Sequence, residues 1–193
     1  MKQSQFARAI WYGILGALFF AFTFIFNRSM NLSGGSWMWS ASLRYLFSLP
    51  MLAAFAYPLG NRKMMVHCKE DQLSTTQRVF GMTLMSTPFW VILSVFAVTD
   101  SGLPSGGQIL QSLIVAVFSG VVATLLFFEA TNLVKHNHKQ LAVVEATQAG
   151  EVLFTLLGGC LFLGDSLPSL LGFLGIAIVT IGIIGNSLLT GSD

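Results

Sequence analysis

Six stretches of predominantly apolar residues, each long enough to cross a bilayer, dominate this chain. A span needs about 20 such residues, and the stretches fall at roughly 9–26, 37–57, 78–98, 109–134, 141–163 and 167–189. A soluble globule could not carry them. Only 9% of the 193 residues are charged, against about 25% in an ordinary soluble domain. A mean hydropathy of +0.73 points the same way, and the abundance of apolar side chains excludes disorder. No period-2 alternation marks an outer-membrane barrel. The expected fold is all-α: one integral membrane domain over 1–193, a polytopic bundle of about six transmembrane helices.

The connections set its topology. Very short links at 135–139 and 164–166 make the last three spans antiparallel neighbours. Lys and Arg in short loops mark the cytoplasmic side. With the N-terminus inside, that side receives Lys2, Arg8, Arg62, Lys63, Lys69, Arg78, Lys135 and Lys139, and the outside only Arg28. Both termini are therefore expected in the cytoplasm. Lys2 and Arg8 precede an apolar run as in a signal peptide, but no small-x-small cleavage site follows, so an uncleaved first span is expected. Cys68 in a charged loop and Cys160 in an apolar run do not suggest a disulfide framework.

Four charges remain at membrane depth: Arg44, Glu129, Glu145 and Glu151. Such groups are costly, usually face the protein interior and count as functional candidates. At 1.5 Å per residue, Glu129 lies roughly 7 Å inside the cytoplasmic end of span four, and Glu145 about as deep on span five. Two carboxylates at matching depth could share a proton, or each could simply reach the interface. Glu151 lies roughly 16 Å deep, near the level Arg44 reaches from outside, so an ion pair is one reading. Glu145, Gln148 and Glu151 recur every third residue, with Thr155 next. That stripe either lines a cavity or hydrogen-bonds neighbouring helices. Gly172, Gly175, Gly182 and Gly185 share one broad face of the last span and read as a helix-packing surface.

Other chemistry lacks its residues. His136 and His138 in KHNHK have no further ligands nearby, SGLPSGG is followed by no Walker lysine, and neither H-E-x-x-H nor G-x-S-x-G occurs. No enzyme activity, metal, cofactor or nucleic-acid partner is expected. The expected partners are the lipid bilayer, a small-molecule substrate, and either further copies of the chain or a longer homologue.

VEATQAGEVLFTLLGG, FLGDSLPS and the glycine-spaced last helix resemble the end of an EamA-type repeat of the drug/metabolite transporter superfamily. AFAYPLGNRKMM, QRVFGMTL, LQSLIVAVFSGVVATLLFFEATNLV and LAVVEATQAGEV look closer still to its putative multidrug resistance efflux transporter branch, and residues 11–28 and 37–45 look like the start of such a transporter. That resemblance implies ten spans in two inverted five-helix repeats. This chain has six, as if about four central helices were absent at a join near residues 46–52. An even number of lost spans preserves topology, but substrate sites of this kind sit at the repeat interface. Related small multidrug resistance proteins use a glutamate in their first span, and none stands there here. The resemblance implies a bacterial cell-membrane secondary transporter. Efflux by alternating access would run past Glu145, Gln148 and Glu151, with Glu129 assisting protonation and Arg44 as countercharge. The alternative is a transport-inactive relic or partner subunit.

Overall fold

A computed structural model describes residues 2–59 and 74–190. Most of the charged loop, with Arg62, Lys63, Cys68 and Lys69, lies outside the described residues. Among those described, every element is helical: α1 (Lys2–Leu32), α2 (Trp37–Leu59), α3 (Thr75–Ser101), α4 (Gly106–Val115), α5 (Thr124–Val134), α6 (His138–Ala146), α7 (Ala149–Phe162) and α8 (Leu170–Thr190). A π-helical segment, Ala116–Ala123, joins α4 to α5. Each apolar run falls on helix. Ser4–Leu32, Thr75–Ser101, Gly106–Val134 and His138–Phe162 are long and apolar enough to cross a membrane, and Leu170–Gly182 is a shorter apolar stretch of α8. α2 has 23 residues, span length, but carries Arg44 and four serines from its N-terminal flank onward. The chain is a polytopic helical membrane protein.

Local chemistry sets the helix ends. Ser74 and Gln77 form a capping box at the start of α3, satisfying donors that have no partner in the first turn. Ser105 and Asn137 accept from Gln108 N and Gln140 N at the starts of α4 and α6. Gly34, Gly102 and Gly164 follow α1, α3 and α7 with φ of 76°, 71° and 65°, a region that side chains disfavour.

The chain divides into two compact units, residues 26–125 and residues 1–25 with 126–193. In the first, α2 packs on α3, α4 and the π segment. Trp39, Leu43 and Ala97 form its core, with Met38 and Phe47 against them. Tyr45 stacks on Trp90, ring centroids 4.1 Å apart and planes 8° from parallel, while Trp39 Nε1 donates to Gly102 O at 2.8 Å. The other side of α3 exposes Met82, Met85, Phe89, Ile92 and Phe96, a surface suited to lipid.

In the second unit, buried small residues recur every fourth position on α1: Ala9, Gly13, Ala17 and Ala21. Such a seam lets backbones approach closely. A Cβ at Gly13 would collide with the Thr147 hydroxyl, and one at Gly158 with the end of Ile25. A Cβ at Gly150 would lie 3.8 Å from Ala17 Cβ. Numbers rise together on both sides, so α1 runs parallel to α6–α7, as spans one and five of an alternating topology must. Ala9, Ala130, Val134 and Val144 close one end of the seam.

The glycine face assigned to the last span has a different setting. α8 packs against α6 and α7, yet among the described residues a Cβ on Gly175, Gly182 or Gly185 would meet nothing within 4 Å. Only at Gly172 is there a close neighbour, Pro168 Cβ at 2.8 Å. Among the described residues the closely packed small-residue ridge is on α1.

Gly13→Val should therefore destabilise the detergent-solubilised protein by about 1–3 kcal/mol, the range for overpacking. Gly13→Ala should lose less and be restored by Thr147→Ala in a double-mutant cycle of thermal melts. Gly175→Ala should change stability by less than about 0.5 kcal/mol.

Candidate functional site

The stripe expected along one continuous fifth span lies on two helices. α6 ends at Ala146 and α7 begins at Ala149. Between them Thr147 and Gln148 have ψ of −20° and −22°, values of a 3₁₀ turn. Backbone bonds shorten accordingly: Gln148 N donates to Glu145 O at 3.1 Å and Glu151 N to Gln148 O at 3.0 Å. Thr147 contributes, since its hydroxyl donates to Val144 O at 2.6 Å, and such back-bonding bends helices.

Burial grades along the stripe. Glu145 is exposed, whereas Gln148, Glu151 and Thr155 are half-buried. Gln148 Nε2 and Thr155 Oγ1 are shielded from solvent and have no hydrogen-bond partner. A buried polar group left unsatisfied costs about 1–3 kcal/mol; Ser42 Oγ, Gln111 Oε1 and Asn132 Oδ1 are in the same condition.

Glu129 is half-buried on α5. Its electrostatic neighbours include Arg8 on α1, a residue that charge counting assigned only to orienting the chain. The carboxylate is thus not an isolated charge at depth. Glu129 adjoins Ala130 and Glu145 adjoins Val144 in sequence, and Ala130 and Val144 belong to one core cluster.

Arg44 belongs to residues 26–125, and Glu151 to the other unit. Within its own unit Arg44 is half-buried, and one guanidinium N–H donates to Ser119 Oγ at 3.1 Å. Ser119 lies in the π segment and is fully buried. Ser48, one turn after Arg44, donates to Arg44 O at 2.7 Å and lies 3.4 Å from Ala116 O. Gly120 makes room, since a Cβ there would collide with the Ser48 hydroxyl. Thr124 Oγ1 donates to Ser119 O, five residues back, at 3.1 Å. π segments inside α-helices occur often at functional sites. Sequence reading missed Ser48, Ser119 and Arg8; the Ser-Gly pair inside AVFSGVV was the available signal.

Among the described residues no three His, Cys, Asp or Glu side chains cluster to hold a metal.

Residues 7–53 and 49–192 match the family EmrE, putative multidrug resistance efflux transporters. This chain belongs to that family. The EmrE-family match covers most of the chain in two pieces, which meet at 49–53. "Uncharacterized protein YjlA" of Bacillus subtilis (strain 168) is 33% identical over 303 positions, taking in 92% of this chain and 93% of the relative. An alignment of 303 positions is far longer than 193 residues, so many of its positions are gaps opposite this chain. A second relative, "Uncharacterized 42.1 kDa protein in intracellular alkaline protease 3'region" of Shouchella clausii, is 45% identical over 126 residues, 64% of this chain and 33% of its own length. No solved structure matches. Membership of the EmrE family makes this a multi-pass membrane transporter with a small molecule as cargo.

Ser119→Ala removes a hydrogen bond to a charged group, worth about 1.5–3 kcal/mol. The expected result is a lower melting temperature for the purified protein, with Ser119→Thr closer to the parent.

Proposed function

We propose that this EmrE-family chain is a proton-coupled secondary transporter that exports small organic compounds across a bacterial cell membrane by alternating access. One observation carries the reading: Gln148 Nε2, in the turn before α7, and Thr155 Oγ1, on α7 with Glu151, are buried without hydrogen-bond partners. Transporter sites near the bilayer midplane are commonly built on discontinuous helices, and the turn at Thr147–Gln148 interrupts this one. Glu151 is the proton acceptor in this reading, with Gln148 and Thr155 facing the cargo. Glu145 and Glu129 pass the proton at the cytoplasmic end.

The chain is also, in this proposal, a shortened family member whose two segments join within α2. The two family matches meeting at 49–53 support it, as do the many gap positions needed to align the chain with its Bacillus relative.

Reconstitution tests the mechanism. In proteoliposomes with an imposed pH gradient, Glu151→Gln should reduce gradient-driven flux at least about tenfold, toward the lower end of what a positioned acid–base group contributes. Flux unchanged in Glu151→Gln would remove that residue from the coupling step.

A further inference from the structure

Between the last turns of α3 and the first turn of α2 lies an open groove of about 570 Å³, lined by Trp37, Met38, Leu93, Phe96, Thr99 and Asp100. All six belong to residues 26–125. Leu93, Phe96 and Asp100 are spaced three and four apart, so they share one face of α3. Trp37 and Met38, the first two residues of α2, form the other wall.

Both walls are held from behind. Trp39 Nε1 donates to Gly102 O at 2.8 Å, tying the start of α2 to the end of α3. Trp39 also packs with Ala97 in the core that Met38 joins. The groove itself stays open, with Trp37 and Phe96 both well exposed.

Helix length fixes the depth of each wall. α3 has 27 residues and is apolar enough to cross a membrane. At 1.5 Å per residue it reaches about 40 Å, more than the roughly 30 Å of hydrocarbon in a bilayer. Asp100, next to the last residue of the helix, therefore stands at headgroup level, and Leu93, two turns lower, among acyl chains. Trp37 suits the same boundary, where tryptophans put their apolar body in the chains and their N–H among headgroups.

Charge selects the headgroup. Asp100 Oδ2 accepts from Ser101 Oγ at 2.8 Å. A hydroxyl takes one of a carboxylate's several acceptor positions and leaves its charge in place. The carboxylate also sits in the last turn of a helix, where terminal carbonyls already carry partial negative charge. A cation beside it answers both, and no lysine or arginine is among the lining residues. The Thr99 hydroxyl donates to Phe96 O at 2.8 Å, so its lone pairs are offered as acceptors. Rings at Trp37 and Phe96 favour a cation too. Two oxygen acceptors beside two rings suit an ammonium with N–H donors better than a quaternary one.

We propose that this groove binds phosphatidylethanolamine, with its ammonium on Asp100 and Thr99 beside the Trp37 and Phe96 rings, and an acyl chain along Leu93 and Met38. Binding of this lipid does not depend on the chain being a proton-coupled exporter.

The test is native mass spectrometry of the full chain released from micelles doped with equal amounts of dioleoyl phosphatidylethanolamine and dioleoyl phosphatidylcholine. The ethanolamine-lipid adduct should be about three to five times the more abundant, the upper range for an exposed ion pair. Successive N-methylation of the headgroup should lower retention stepwise as donors are lost. Asp100→Asn should abolish the preference and Asp100→Glu should keep it, both with an unchanged melting temperature. Phe96→Leu, which keeps an apolar wall without the ring, should reduce the preference about twofold, the low end for an exposed cation–π contact. Equal adducts of the two lipids, a preference for the choline lipid, or a preference unchanged in Asp100→Asn would overturn the proposal.

Discussion

Apolar side chains in lipid gain nothing by leaving the solvent for one another, so helices hold together where backbones come close or polar groups meet. The contact between Gly13 and Thr147 combines both. The missing side chain on α1 admits a threonine hydroxyl, and that hydroxyl is bonded back to Val144 O at the point where the fifth span turns. Without the seam Ala9–Gly13–Ala17–Ala21, the interrupted helix would lose the surface that supports its irregular backbone.

Irregularity recurs where polar groups gather. The π segment places Ser119 beside Arg44, and Gly120 leaves space for Ser48. Backbone that departs from α geometry is tolerated at membrane depth only where protein surrounds it or it lines a cavity. Both departures here carry polar side chains, at Ser119 and at Thr147–Gln148.

The helices and the membrane class were legible because each rests on summed apolar content, a signal many residues carry together. The helix ends were partly legible, since Ser74–Gln77, Ser105 and Asn137 follow ordinary capping chemistry. The two backbone irregularities were not. Neither contains proline, and each depends on partners distant in sequence: Gly13 for Thr147, Ser48 and Arg44 for Ser119. Small residues were visible on both the first and last spans, but only the packed structure distinguishes the seam on α1 from the open glycine face of α8. Of the candidate residues, Arg44 came with its depth and not its partner Ser119, because nothing in an apolar run says which serine faces a guanidinium.

The turn at Thr147–Gln148 has a geometric result of its own. Along a regular α-helix, residues three apart step sideways by about 60° each time, so Glu145, Gln148 and Glu151 would wind away from one another. A 3₁₀ turn has three residues per revolution and stacks them directly. Where Gln148 bonds to Glu145 and Glu151 to Gln148, the turn brings the three positions closer to one file than a regular α-helix would. Adding or deleting a single residue here would fan that file apart without altering its composition.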